Sequence, residues 1–281
     1  MRAKPLLLAA LISASLAGCV VVVSDHNDYI KGNGTAATES RTIASATALR
    51  IENRYGVTMD VEVKVGGAPS LVIEGDANLV PLVRTEVQGD TLRVYTEERL
   101  RSSQRIRVRY TAPRLTDLEA SGSVNTDVQG LAGGPLQVLH NGSGRLEMRG
   151  QVDRLDIRHS GSGQLYADGL ESRSAKVNMS GSGRVNIGSV RGDALSVSAT
   201  GSGGFYARGI VRMLDVQLTG SGSAQLSDLR SDEANITSNG SGAVHAWVQH
   251  KVEARANGSG RIDVSGNPAQ RNIFGRNTTI Q

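Results

Sequence analysis

The chain has 281 residues, of which 34 are glycine, and its aromatic residues are limited to 1 Trp, 6 Tyr and 2 Phe. Hydrophobic residues make up only 38%, which excludes an aromatic-rich core and a membrane-spanning bundle. The formal charge is +4. Arg2 and Lys4 lie in a segment predicted to be cleaved, so 29 basic residues face 27 acidic ones in the mature chain and no nucleic-acid partner is expected.

Residues 1–18 have the layout of a secretory signal peptide. A basic start is followed by an apolar stretch that is too short to span a bilayer, and then by two small residues. The stretch ends in Leu-Ala-Gly-Cys and resembles the lipobox of bacterial lipoproteins, in which Cys19 would carry diacylglycerol and palmitate. Cys19 is the only cysteine, so a disulfide does not explain it.

Residues 19–48 contain this cysteine and then a polar stretch of small residues. No period of 2 or 3.6 is sustained there, so the segment is predicted to be a tether that holds the folded part away from the bilayer. Val20 rather than Asp follows the cysteine, which favours sorting to the outer membrane of a two-membrane bacterium.

Gly-Ser-Gly recurs through the second half of the chain. The motif begins at Gly142, Gly161, Gly181, Gly201, Gly220, Gly240 and Gly258, and a degenerate Ser-Gly-Ser supplies Gly122. The second glycines of the complete motifs are Gly144, Gly163, Gly183, Gly203, Gly222, Gly242 and Gly260. Successive copies are 18 to 20 residues apart, and this regularity indicates a repeat architecture rather than a flexible linker.

Apolar residues alternate with polar ones on both sides of each motif. In the unit of Gly181, Val185 and Ile187 lie four and six residues after the glycine, whereas Val177 and Ala175 lie four and six before it. Alternation of this kind predicts two short strands, each with one buried face.

Neither strand can bury its apolar face alone, and stacking equivalent units about 4.8 Å apart solves this. The sequence therefore predicts an all-β fold, a right-handed parallel β-helix with coils of about 20 residues bent at Gly-Ser-Gly over residues 114–266. Residues 49–113 are strand-rich but out of this register, and they are predicted to cap the N-terminal end. Residues 267–281 are predicted to cap the other end.

Glycine costs stability in strands, so its use at every bend predicts a positive φ or close backbone packing between coils. The residues just before the bends are small and polar and are expected to form hydrogen-bonded ladders: Asn141, Ser160, Ser180, Thr200, Thr219, Asn239 and Asn257. Three of them lie in N-glycosylation patterns, for which the turn role is favoured. Calcium-binding solenoids need Asp beside the glycines, so no calcium or other cofactor is expected.

Several segments together carry a family resemblance. They are Ile73-Glu74-Gly75-Asp76-Ala77-Asn78-Leu79, the Gly89–Leu92 turn, Ala112-Pro113-Arg114-Leu115, Ala120-Ser121-Gly122-Ser123 and the Gly-Ser-Gly series. Over residues 45–281 the sequence resembles the head GIN domain family, which is labelled an auto-transporter adhesin. The resemblance implies an exported β-helical domain, often lipid-anchored, without catalytic residues to transfer.

Many β-helices are polysaccharide lyases or hydrolases, whose sites need convergent acidic groups. Here Glu147 and Asp263 lie at opposite ends of one outward column, and Asp156 and Asp215 lie three coils apart in another. No catalytic residue is therefore predicted.

The histidines suggest no catalytic site either. His140 and His159 occupy equivalent places in adjacent coils and could share a metal or a proton. Two stacked polar residues near a turn is the favoured interpretation, since the column offers no third ligand. His245, His250 and Trp247 gather in the last coils, where Trp247 is expected to pack or to line a rim.

These observations predict a non-enzymatic, lipid-anchored protein of the bacterial cell envelope that serves as a binding, adhesion or scaffold module. Surface polysaccharide or an envelope protein is the expected partner, besides the membrane itself. The alternatives are a carbohydrate-active β-helix enzyme and an accessory lipoprotein in envelope maintenance.

Overall fold

The computed structural model describes residues 29–55 and 57–280, so the predicted signal peptide and Cys19 lie outside the described residues. Three quarters of the chain is strand. The strands are β1 (Ile30–Lys31), β2 (Ala36–Arg41), β3 (Ala48–Asn53), β4 (Met59–Val65), β5 (Ser70–Asp76), β6 (Val83–Gln88), β7 (Thr91–Thr96), β8 (Leu100–Arg101), β9 (Ile106–Ala112), β10 (Asp117–Gly122), β11 (Val124–Ala132), β12 (Pro135–Gly142), β13 (Arg145–Gly161), β14 (Gln164–Gly181), β15 (Arg184–Gly201), β16 (Gly204–Gly220), β17 (Ser223–Gly240), β18 (Ala243–Gly258), β19 (Arg261–Ser265), β20 (Gln270–Phe274) and β21 (Thr278–Ile280). A short 3-10 helix spans Val80–Leu82.

The predicted right-handed parallel β-helix is confirmed. Strands that precede the Gly-Ser-Gly bends pair in parallel from coil to coil and form what we call the first sheet. Strands that follow the bends form the second sheet in the same way. Each of the long strands β13 to β18 crosses from the second sheet of one coil into the first sheet of the next coil, where it ends at the next glycine bend.

The core is the stack of inward-facing residues between the two sheets. Val177 pairs with Ile157 in the coil on one side and with Val197 in the coil on the other, as the repeat alignment predicts. No residue of this column is more than 2% exposed: Val138, Ile157, Val177, Val197, Val216, Ile236 and Ala254. Fully burying a side chain of this size contributes about 1.5 to 3 kcal/mol, so repeated apolar layers hold the coils together.

The N-terminal part adds two further coils to the stack, and their order differs from the chain order. β3 pairs in parallel with β7 on one side and β10 on the other, while β4 lies between β9 and β11. The coil of residues 48–65 is therefore sandwiched between the coil of residues 91–112 and that of residues 117–132. This corrects the prediction that residues 49–113 serve as a cap only.

Antiparallel strands close the N-terminal end. β5 pairs antiparallel with β9, β6 pairs antiparallel with β7, and β2 adds antiparallel to β5. The predicted tether of residues 19–48 is therefore wrong from residue 30 onward, because β1 also pairs with β8. Arg41 explains why this polar strand is held, since its Nη1 donates to Thr85 Oγ1 at 3.0 Å and its Nη2 donates to Val80 O at 3.1 Å.

A buried carboxylate fixes the segment that leads into β2. Asp76 is fully buried and accepts hydrogen bonds from Ser102 Oγ at 2.6 Å, from Ser103 N and Oγ at 3.0 Å each, and from Gly34 N at 2.7 Å. These donors, the Ser102 hydroxyl above all, lower the pKa of Asp76 to about 2. The carboxylate thus joins the N-terminal segment to the loop after β8.

A partial coil covers the C-terminal end. β20 stacks in parallel on β18, and β21 stacks on β19. Val252 and Ile262 beneath this layer are fully buried, whereas every residue of β20 is exposed. Arg271 takes the register position of Val252 and donates from Nε to Pro268 O at 2.7 Å, so the last inward positions include a charged residue instead of a continuous apolar layer.

Candidate binding face

The Gly-Ser-Gly motifs follow one another along one edge of the β-helix, where they leave no room for a side chain. Gly181 has φ of +105°, and a Cβ on it would lie 2.5 Å from Gly161 O. A Cβ on Gly183 would lie 2.5 Å from Gly163 O and 2.1 Å from His159 Nε2. The first glycine of the motif is thus required both by its positive φ and by the close approach of the neighbouring coil, whereas the second is required by that close approach alone. Gly122 and the first glycines of all the complete motifs share the positive φ.

Hydrogen bonds run along the same edge from coil to coil. Gly161 O accepts from the backbone N–H groups of both Ser182 and Gly183 at 3.1 Å. In the column just before the bend, Ser160 Oγ donates to Asn141 Oδ1 at 2.6 Å, and Asn257 Nδ2 donates to Asn239 Oδ1 at 2.9 Å. The three asparagines of the glycosylation patterns are therefore parts of side-chain ladders.

His140 and His159 lie inside the β-helix, at 1% and 2% exposure. Their Nδ1 atoms are 3.1 Å apart, so one ring donates a hydrogen bond to the other, and both Nε2 atoms are buried without a hydrogen-bond partner. Burial, together with the neighbouring ring, lowers the pKa of His140 to about 4, and burial lowers that of His159 as well. The pair is therefore neutral at neutral pH. The prediction of stacked residues holds, but the stack is in the core.

The outward face of the first sheet carries two grooves that meet. The first groove, of about 350 Å³, begins near the N-terminal end at Asp90 and Arg50 and passes Glu119 to reach Leu139 and Arg158. Arg50 and Glu119 form an ion pair across two neighbouring coils, with Nε and Oε2 2.8 Å apart. The same groove is also lined by Asp90, Asp117 and Asp156, which form no ion pair within the described part of the chain, so this end of the face has an excess of carboxylates.

The second groove, of about 340 Å³, starts from the same Leu139 and Arg158 and continues past Asn178 to Ser198 and Thr200. Its other outward side chains are hydroxyls and amides. Arg158 is exposed and forms no ion pair within the described part of the chain. We call the two grooves together the axial track, because they follow the axis of the β-helix over adjacent coils.

The second sheet brings Glu147 beside carboxylates that the repeat alignment does not include. Asp127 pairs in register with Glu62 on one side and Glu147 on the other, which corrects the expectation that this column has acids only at its ends. Arg149 bridges Asp127 and Glu147, with Nη1 2.8 Å from Asp127 Oδ1 and Nη2 2.8 Å from Glu147 Oε2. Both carboxylates are thus held in ion pairs.

The polar residues of the last coils form local contacts only. His245 Nδ1 lies 3.3 Å from Asp263 Oδ2. Trp247 is partly buried, and the guanidinium of Arg230 lies 5.4 Å from its ring centre. Among the described residues no hydrogen bond links His250 to either side chain. Trp247 therefore packs at the rim of its turn.

Residues 29–55 and 57–280 contain neither a metal-binding cluster nor a membrane-spanning helix. Within these ranges no group of three or more His, Cys, Asp or Glu side chains is placed to hold a metal ion. Within the same ranges there is no helix of the length and hydrophobicity that crossing a bilayer requires.

Solved structures share this architecture. A "putative lipid binding protein" from Parabacteroides distasonis is 23% identical, with a TM-score of 0.67 over 90% of this chain and 99% of that one. A "putative adhesin" from Parabacteroides merdae is 22% identical, with a TM-score of 0.66 over 84% and 99% of the two chains. A "putative adhesin" from P. distasonis is 19% identical, with a TM-score of 0.68 over 90% and 99%. At these identities the likeness shows the fold.

No curated protein matches the chain. A family model does match it, in two overlapping stretches over residues 54–173 and 167–268. Together these stretches span most of the β-helix, including residues 54–65 and 91–112 of the two coils that lack the glycine motif. The chain therefore belongs to the family described as "Putative auto-transporter adhesin, head GIN domain".

Proposed function

We propose that this protein is a non-catalytic binding module of the bacterial cell envelope, anchored in the outer membrane by lipid on Cys19, and that it holds a polysaccharide along the axial track. The adhesin-like family points to the cell surface or envelope. The observation that carries the proposal is the continuity of the two grooves, which share Leu139 and Arg158.

The dimensions of the axial track fit a linear polymer. From Thr91 through Arg50, Glu119 and Leu139 to Ser198 the register covers seven successive coils. Six intervals of about 4.8 Å give a length of about 29 Å. A chain of several sugars can lie along such a surface, whereas a small metabolite would occupy only part of it.

The chemistry of the track also suits sugars. Carboxylates, amides and hydroxyls project from neighbouring coils at a constant spacing, and such groups donate and accept the hydrogen bonds that sugar hydroxyls need. Arg158 adds a cation without an ion-pair partner in the described part of the chain, and a guanidinium binds carboxylates in bidentate geometry. A polysaccharide that places an acidic sugar at Arg158 and neutral sugars along the rest of the track therefore fits best.

Binding is favoured over hydrolysis by the placement of the carboxylates. Glycoside hydrolysis needs one carboxyl group to donate a proton and a second to act as base or nucleophile. On the track Glu119 is paired with Arg50, and on the second sheet Asp127 and Glu147 share Arg149. Asp117 and Asp156 of the track form no ion pair within the described residues, but they lie two coils apart in one outward column. Two intervals of about 4.8 Å separate them by about 9.6 Å, which is at the outer limit of the spacing of carboxyl pairs in glycoside hydrolases.

Polysaccharide binding is tested with Arg158→Ala and with Arg184→Ala as the matched control, since Arg184 is equally exposed but lies on the second sheet. Binding to alginate, dextran and purified peptidoglycan is measured by biolayer interferometry. A charged hydrogen bond is worth about 1.5 to 3 kcal/mol, so Arg158→Ala should weaken binding at least about tenfold, with Arg184→Ala unchanged. Equal binding by both variants, or cleavage of a polysaccharide, would contradict the proposal.

The lipid anchor is tested by Cys19→Ser. Loss of the only thiol should abolish incorporation of labelled palmitate and release the protein from membranes into the soluble fraction. Membrane retention without lipid labelling would exclude this anchor. Protease treatment of intact cells then reports whether the β-helix faces outward, as adhesion requires, or faces the periplasm, as an accessory role in envelope maintenance would require.

A further inference from the structure

Exposed apolar side chains are concentrated at the two ends of the β-helix. The large ones among the described residues are Tyr29, Ile30, Tyr55, Ile210, Ile273 and Phe274. Half of them belong to the N-terminal end, which is also where the chain enters from the predicted lipid anchor. The sides of the β-helix contribute Ile210 alone.

The N-terminal residues of this set are joined by one turn of the chain. β1, which contains Ile30, pairs with β8 in the turn between β7 and β9. The Arg101 guanidinium of β8 lies 5.3 Å from the ring centre of Tyr29 and donates to its hydroxyl oxygen at 3.1 Å. Tyr55 and Glu97, at the start of the same turn, line a groove of about 310 Å³. We call this region the N-terminal tip.

Positive charge surrounds these aromatic residues. Lys31, Arg99 and Arg101 are exposed and have no ion pair in the part of the chain that the structure describes. The same turn holds two acidic residues: Glu97, whose Oε2 is 3.9 Å from Arg84 Nε, and Glu98, which is exposed. The three cations therefore still outnumber the one acidic residue of the turn that has no ion pair. The tip thus combines tyrosine rings with unmatched cations. Tyrosine is enriched at membrane interfaces, and basic residues are attracted to anionic headgroups.

We infer that the N-terminal tip docks on the headgroup region of an anionic bilayer, so that the β-helix stands with its C-terminal end away from the membrane. The inference rests on the proposed anchor, because ten residue steps separate Cys19 from Tyr29. Ten residue steps reach at most about 36 Å even when fully extended. Acylation would therefore hold the tip close to the headgroups, and the axial track would run away from the surface.

The test uses the mature chain, residues 19–281, with Cys19→Ser, so that docking is measured without the lipid and without the apolar signal peptide. Cosedimentation with vesicles of phosphatidylcholine and phosphatidylglycerol should exceed that with phosphatidylcholine alone and should fall as salt is added. An Arg99→Gln/Arg101→Gln variant should bind the anionic vesicles about thirtyfold more weakly, at about fivefold per charge. Tyr29→Ser/Tyr55→Ser should also weaken binding.

Phe274→Ser is the matched control, because Phe274 is 51% exposed and has the Arg255 guanidinium 4.9 Å from its ring centre, but it lies at the opposite end. This variant should bind vesicles as the parent chain does. Equal binding by all the variants, or a loss confined to Phe274→Ser, would overturn the docking geometry. Palmitate labelling of the native Cys19 is scored separately, so a missing anchor and a non-docking tip give different results.

Discussion

Acid should destabilise the β-helix through the buried pair of His140 and His159. The pKa of His140 is about 4 in the folded protein, against an ordinary value of 6.5. The unfolded chain therefore binds a proton in this range that the folded chain does not, and stability falls as the pH drops from 6.5 towards 4. A shift of this size corresponds to about 3 kcal/mol, of which about 2 kcal/mol is lost between pH 7 and pH 5. The lowered pKa of His159 acts in the same direction.

The assay is guanidinium unfolding at pH 7 and pH 5 for the parent chain and for His140→Leu/His159→Leu. Leucine fits the site, because Leu218 occupies the same inward column at 1% exposure. The variant should lose at least about 2 kcal/mol less than the parent between the two pH values. Carboxylates titrate alike in both chains and cancel in the comparison. Parallel losses in parent and variant would refute the reasoning, as would an equal effect from His245→Gln on the surface.

Val177→Asp should unfold the central coils, because it places an unpaired carboxylate between apolar layers. Lys176→Asp at the exposed neighbouring position should change stability by no more than about 0.5 kcal/mol. Equal melting temperatures for the two variants would disprove the register. Gly181→Ala should cost at least about 1 to 3 kcal/mol, since alanine is strained at this φ and its Cβ meets a carbonyl of the preceding coil. Ser182→Ala on the exposed bend should be nearly neutral when both variants are unfolded with guanidinium. Asp76→Asn should loosen the segment before β2 and raise its hydrogen exchange, and the native carboxylate should hold that segment down to about pH 2; unchanged exchange would show that the segment does not depend on this charge.

The repeat coils could be predicted from the sequence because two simple signals coincide in them. Alternation of period 2 assigns each side chain to the core or to solvent, and the glycine spacing aligns one coil with the next. The pairing of Val177 with Ile157 and Val197 follows from those signals alone. The coils of residues 48–65 and 91–112 lack the glycine motif, and Asn53 holds the position equivalent to Gly122. A search for a fixed period therefore cannot align them.

The candidate binding face was only partly predictable for the same reason. Arg158 lies in a repeat coil, but Arg50 and Glu119, which complete the track, come together only when the out-of-order coil is inserted. The histidines were identified as neighbours, whereas their burial was not. Their column continues with Met179 and Leu218, both buried, and that apolar continuation is the signal that could have placed them inside.

The inserted coil of residues 48–65 limits how the length of this β-helix can change during evolution. From β12 to β18 each coil contacts only its sequence neighbours, so duplication or deletion of one 20-residue unit would leave every other interface intact. The first three coils interlock, because the middle coil of the stack precedes the terminal coil of residues 91–112 in the chain. No single coil can be removed there without separating strands that pair in the folded protein. Longer and shorter relatives should therefore differ between the bends at Gly142 and Gly258, with the N-terminal assembly inherited as one piece.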